Sequence, residues 1–213
     1  MASPLIDTYL QSADVAAGFI GDPAVAGCWN ELSALPEMSV SALAGHLSRQ
    51  VFNTPVVLSA DLAEQPPVSL LEHYARSAWV NVPLDAPVNV GVRESGEAEA
   101  ADGAAALAKR VSAVIAGLRG ELANEPLDRP VFLPWAGWNL TLEDYLTSRL
   151  LEIAIHVDDL AVSVDVTPPA LPEAATDATL ILLTRLAARR HGVAPVLRAL
   201  SRSERASGSI AAI

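Results

Sequence analysis

A chain of 213 residues is long enough for one sizeable domain, and its 51% hydrophobic and 18% charged content places it outside the disordered regime. The net charge of −11 argues against general nucleic-acid or anionic-membrane binding, and a single cysteine, Cys28, excludes a disulfide framework and a multi-cysteine zinc site. The apolar runs fall short of the ~18–20 residues of a membrane span, and the N-terminus lacks a basic start followed by an apolar stretch, so a soluble, cytoplasmic protein is expected.

Helical periodicity dominates the pattern. Leu5, Tyr9, Val15 and Phe19 predict a first helix over 4–20, closed by Gly21-Asp22-Pro23. A second starts near Ser39, with Val40, Leu43, Leu47 and Val51 on one face and Pro55 marking a kink or an end. A third is expected over 69–81, a loop over 82–96 from its Pro, Gly and Asp content, and a long Ala-rich helix over 97–123. Residues 125–140 are too rich in Pro and Gly for a helix and read as a short hairpin or ordered loop. Thr141-Leu142-Glu143-Asp144 has the form of a capping box and opens a helix running to about Val164. Pro168, Pro169 and Pro172 make a stiff linker, and two or three shorter helices follow over 175–205, with His191-Gly192 as a helix stop.

The pattern predicts an all-α protein: an up-and-down bundle of four main helices over 1–172, with a helical extension over 173–213 packed on it. Six of the 14 basic side chains, against one of the 25 acidic ones, fall within 185–213. That reads as an Arg-bearing helical face docked on an acidic body, or as a source of one arginine for an anionic substrate group.

The helix expected over 141–164 carries the chemistry. Leu146, Leu150, Ile153, Val157, Leu160 and Val164 form an apolar seam, and Leu151, Ala154, Ile155, Ala161 and Val162 make much of the remaining circumference apolar, as in a central, buried helix. One residue before each seam position runs a second stripe: Tyr145, Arg149, Glu152, His156, Asp159 and Ser163. Charge on a buried helix must be paired, hydrogen-bonded or bound to metal. Two arrangements satisfy that demand. In one, Arg149 pairs with Glu152 and Asp159 holds His156. In the other, Glu152 and His156, at i and i+4, converge on a cation and Asp159 orients an imidazole from behind. A third ligand is then needed. His46 precedes the seam residue Leu47 as His156 precedes Val157, which sets it above His73, read as a surface residue beside Glu72, and His191, read as a helix C-cap. Two histidines, one carboxylate and an open position make the ligand set of many catalytic zinc sites. Two imidazole ligands would make metal loss steep below roughly pH 6.

Ala44-Gly45-His46-Leu47, followed about a hundred residues later by Arg149-x-x-Glu152-x-x-x-His156-x-x-Asp159-Leu160, resembles the mycothiol-dependent maleylpyruvate isomerase family of the DinB-like superfamily of four-helix bundles. Arg185 to Gly192 and Leu200 to Arg205 resemble the ending of its short members, which lack the C-terminal α/β domain of the isomerases proper. The resemblance implies a divalent metal, usually zinc, on His46, Glu152 and His156, with the thiol mycothiol as cosubstrate. A mycothiol-dependent transferase or isomerase acting on a small electrophile follows, with a metal-activated thiolate as the nucleophile. The alternative is a non-enzymatic metal-binding bundle whose role is to bind a ligand or partner. In the enzyme reading Trp135 and Trp138 line the pocket mouth and Arg149 holds Glu152 in place. No nucleic-acid or membrane partner is expected, and the apolar content would suit a homodimer.

Overall fold

A computed structural model describes residues 3–77, 83–206 and 208–213. Helix α1 (Pro4–Ile20) starts where the Ser3 hydroxyl accepts from the Leu5 amide and Pro4 supplies a helical φ. At Gly21 the chain turns as expected, but Asp22 and Pro23 at once cap a further short helix, α2 (Pro23–Gly27). Helix α3 (Val40–Ser59) is capped by Ser39, whose Oγ accepts from the Ala42 amide at 3.1 Å. Pro55 does not end it. Proline there forfeits one backbone bond within the last turns, and the helix continues to Ser59.

The middle of the chain departs from the expected pattern. Helix α4 (Leu70–Arg76) is shorter than the predicted 69–81, of which 78–81 lie outside the described residues. Most of the expected loop 82–96 is helix α5 (Pro87–Glu99), opened by Pro87 at its first position; residue 82 lies outside the described set. The single long helix expected over 97–123 is the end of α5 followed by α6 (Ala104–Glu121). The break falls at Gly103, whose φ of +88° a residue with a Cβ rarely adopts.

Strands β1 (Pro130–Leu133) and β2 (Trp138–Thr141) form the anticipated hairpin, pairing Val131 with Leu140 and Leu133 with Trp138. It delivers the chain to α7 (Leu142–Ser163), where the Thr141 hydroxyl accepts from the Asp144 amide at 3.1 Å. Helices α8 (Glu173–His191) and α9 (Val193–Ser201) and a 3₁₀ turn at Ser203–Arg205 complete the fold.

The chain is thus an all-α, DinB-like bundle with added C-terminal helices. Helices α1 and α3 each pack against both α6 and α7, and the α7 seam of Leu146, Leu150, Ile153, Val157 and Leu160 is buried among them. Helix α5 lies along α3, and α8 covers another side of α7, where Leu182 and Leu186 close on Leu151 and Tyr74. Arg189 of α8 reaches Glu72 at 3.3 Å, an Arg-to-body contact of the kind expected for the basic C-terminal segment. Among the described residues no helix is long and apolar enough to cross a membrane.

The contact between α3 and α5 is backbone on backbone. A Cβ built on Gly45 would lie 1.9 Å from the Gly96 carbonyl oxygen, and one on Gly96 would lie 2.2 Å from that of Ala42. Only glycine at both positions permits this approach. It fixes α5 beside the turn of α3 that carries His46.

Candidate metal centre

The ligand atoms of His46 from α3 and of Glu152 and His156 from α7 all lie within 4.8 Å of one another. The two imidazoles meet edge to face, with centroids 4.7 Å apart and planes at 78°. His156 Nε2 stands 3.3 Å from Glu152 Oε2. Ligands on tetrahedral arms of 2.0–2.1 Å are separated by about 3.4 Å, so this pair already has the spacing a zinc ion requires. Asp159 Oδ2 is 3.0 Å from His156 Nδ1. With the Nδ1 proton held there, Nε2 is the ring nitrogen that faces Glu152 and is left for a metal. The Tyr74 hydroxyl donates to Glu152 Oε1 at 3.4 Å and steadies the carboxylate from the α4 side. Two imidazoles and a carboxylate suit a divalent transition metal.

Electrostatics divide the two histidines. Burial pushes the pKa of His46 down to about 3, with His156 adding to the effect, and keeps this imidazole neutral. Burial acts in the same direction on His156, but hydrogen bonds to Asp159 and Glu152 outweigh it and raise the group to about 9. For Glu152 burial would raise the carboxyl, yet the hydrogen bond and charge of His156, with Arg149 and His46, hold it well below the usual carboxylate range. Without a metal the α7 pair is therefore an imidazolium beside a carboxylate.

Arg149 does not pair with Glu152. Its guanidinium is buried, donates to Gln50 Oε1 and to Ser148 Oγ, and lies over the Tyr145 ring with Cζ 5.3 Å from the centroid. It acts on Glu152 through its field alone. Gln50, one turn after His46, also donates through Nε2 to the His46 carbonyl at 3.0 Å, so it ties Arg149 to the helix that carries His46.

The three side chains border a cavity of about 620 Å³. Trp135 and Trp138, from the hairpin, line it, Trp135 at its exposed edge. His73 lines it too, contrary to the surface position expected for it: it is only 6% exposed. Trp138 Nε1 donates to His73 Nδ1 at 3.2 Å, and burial, aided by Arg149, lowers the His73 pKa to about 4. The available signal was Tyr74, whose ring needs a core-facing position and draws its helix inward. His191 ends α8 as expected, does not line the cavity, and is bonded to the Ala211 carbonyl. Arg49, Asn53 and Asn89 also border the cavity and were not singled out by any motif.

The family model of the mycothiol maleylpyruvate isomerase N-terminal domain matches residues 10–161. The chain belongs to this family. The matched span contains His46, Glu152 and His156 and stops before α8, so the family relationship rests on the bundle and not on the C-terminal helices. Neither the curated proteins nor the solved structures yield a match to the chain. Membership associates this fold with mycothiol-linked isomerase or transferase chemistry.

Proposed function

We propose that the protein is a divalent-metal-dependent mycothiol transferase or isomerase acting on a small electrophile, with His46, Glu152 and His156 as the metal ligands. The observation that supports this most is their convergence on a cavity of about 620 Å³, a volume in the range of small-molecule sites. A closed structural site would instead complete its coordination with a fourth protein ligand and leave no adjoining space.

A bound zinc ion would supply the Lewis acidity that keeps a coordinated thiol deprotonated at neutral pH. The chain's own groups do the rest. His46 offers a neutral imidazole at any physiological pH. Asp159 accepts the Nδ1 proton of His156 and sets that ring's orientation. Tyr74 fixes Glu152, and Arg149, locked by Gln50 and Ser148, adds positive potential that favours the carboxylate form. Trp135 and Trp138 wall the cavity and shield the thiol and its target from bulk water.

The test is metal analysis of the wild type, His46→Ala and His156→Ala after incubation with zinc, followed by mycothiol consumption with a panel of electrophiles. The expected result is one equivalent in the wild type. Each variant should bind more weakly by over the roughly 10–100-fold typical of losing an outer partner. Stoichiometric metal retained in His156→Ala would remove the ligand assignment.

A further inference from the structure

We propose that His73 is a catalytic hydrogen-bond donor: a neutral imidazole whose Nε2–H points into the cavity and binds the carbonyl oxygen of an electrophile conjugated to that carbonyl. The inference rests on the thiol-transfer reading above and assigns one further residue to the carbonyl end of the electrophile.

The tautomer follows from the partner. An indole N–H can only donate, so His73 Nδ1, 3.2 Å from Trp138 Nε1, must accept. That excludes both the imidazolium and the Nδ1–H tautomer and leaves the single proton on Nε2. The direction follows from burial. No hydrogen bond is made by His73 Nε2 among the described residues, yet no buried side-chain nitrogen or oxygen there lacks a partner. Nε2 is therefore open to space, and the space beside His73 is the cavity shared with His46, Glu152 and His156. The ring is held from two sides, edge to face against Trp138 with centroids 5.8 Å apart and against Tyr74 at 5.2 Å. Tyr74 in turn bonds Glu152. The donor His73 thus stands next in sequence to Tyr74, which holds the proposed metal ligand Glu152.

Such a donor matters where negative charge develops on oxygen during the reaction. When a thiolate adds to an α,β-unsaturated carbonyl, a sulfur lone pair forms the C–S bond at the β-carbon. The C=C pair shifts to the adjoining C–C bond, and the carbonyl pair moves onto oxygen as an enolate. His73 Nε2–H binds that oxygen without giving up its proton. Solvent then protonates the α-carbon and restores the carbonyl, so the net change is addition of the thiol across C=C. Displacement at a saturated carbon bearing halide creates no such oxygen and gains nothing from this N–H.

The zinc-loaded protein, with mycothiol as thiol, is to be compared on methyl vinyl ketone and on bromoethane. His73→Phe keeps a ring but removes the donor, and His73→Gln keeps an N–H at a similar reach. We expect the ketone-to-bromoethane rate ratio to fall by about 100-fold in His73→Phe and to recover to within about tenfold of wild type in His73→Gln. As a readout independent of turnover, ¹⁵N–¹H correlation on the metal-free protein should show His73 as the Nε2–H tautomer from pH 6 to 9. Trp138→Phe should release that restriction, which also covers a His73→Phe variant that fails to fold. An Nδ1–H tautomer in the wild type, or a rate ratio unchanged in His73→Phe, would overturn the role of His73 and leave the thiol-transfer reading intact. Wild-type protein that consumes mycothiol with neither electrophile would instead remove that reading, and the catalytic role with it.

Discussion

At the scale of single residues, the proton on His156 governs how the site takes up a cation. Its raised pKa of about 9 means that a metal arriving at neutral pH must displace one proton, while His46, at about 3, and Glu152, already ionised, release none. Apparent zinc affinity should therefore rise about tenfold per pH unit up to pH 9 and flatten above it. Calorimetry at pH 7.5 in buffers of different ionisation enthalpy should show release of about one proton, and two would contradict the charge state described here. The steep two-proton loss below pH 6 expected from the sequence assumed two ordinary imidazoles, and burial and partners separate them. The linkage to stability runs the same way. A group raised from ~6.5 to about 9 stabilises the metal-free fold fully below ~6.5 and loses that contribution as pH climbs through 9. Metal-free protein should accordingly melt lower at pH 9 than at pH 6.5, by an amount that shrinks in Asp159→Asn, where the stronger acceptor is gone. The stripe Glu152, His156, Asp159 was legible because all three share one helix and helical spacing alone sets their contacts. His73 was not, because its burial depends on Trp138, 65 positions away, and on the way α4 is drawn against α7.

At the scale of elements, the crossing of α3 and α5 explains the largest error of the sequence reading. The glycines that made 82–96 look like a loop include its last residue, Gly96, whose missing Cβ is the contact itself. Composition records that a glycine is present and not whether it serves a turn or a close approach, so α5 was invisible until α3 lay beside it. Capped helices were read well: Ser39 and Thr141 announce α3 and α7 locally, and both carry candidate ligands. Gly45→Ala should force α5 away from α3, since the atom it would meet is backbone and cannot rotate aside. A cost of about 1–3 kcal/mol is expected for such overpacking, or roughly 2–4 °C in Tm per kcal/mol for a chain of this size. Zinc affinity should fall with it, because His46 is the next residue. Gly120→Ala in α6, where nothing lies within 4 Å of the added Cβ, should instead gain about 0.5–1 kcal/mol. Thermal melts of the two variants separate a packing role from ordinary helix propensity; equal shifts in both would show that the crossing is not tight.

At the scale of the whole molecule, the C-terminal helix α8 braces α4 and α7 from outside the cavity, although the matched family span ends before it. We read 1–172 as the metal-binding bundle and 173–213 as an extension packed on it, and the packing is specific. Leu182 and Leu186 of α8 are almost fully buried against Leu151 and Tyr74, and Arg189 bonds Glu72 on the same helix as Tyr74. Tyr74 then reaches Glu152. Removing 173–213 would uncover Leu151 and take away the α8 side of the packing of α4. Each of the two leucines lost is worth about 1.5–3 kcal/mol of burial at most, since the unfolded chain already hides part of that surface. A chain of residues 1–172 should therefore melt below the full chain, by roughly 6–24 °C at most from these two side chains. It should also bind zinc more weakly, because Tyr74 and His73 are no longer pressed toward α7. The full chain should unfold in one transition, with its tryptophan fluorescence and its helical circular dichroism changing together. A truncated protein with unchanged zinc affinity would make the extension a passenger, and two separate transitions in the full chain would make it a domain of its own. The chain of contacts from α8 through Tyr74 to Glu152 predicts neither.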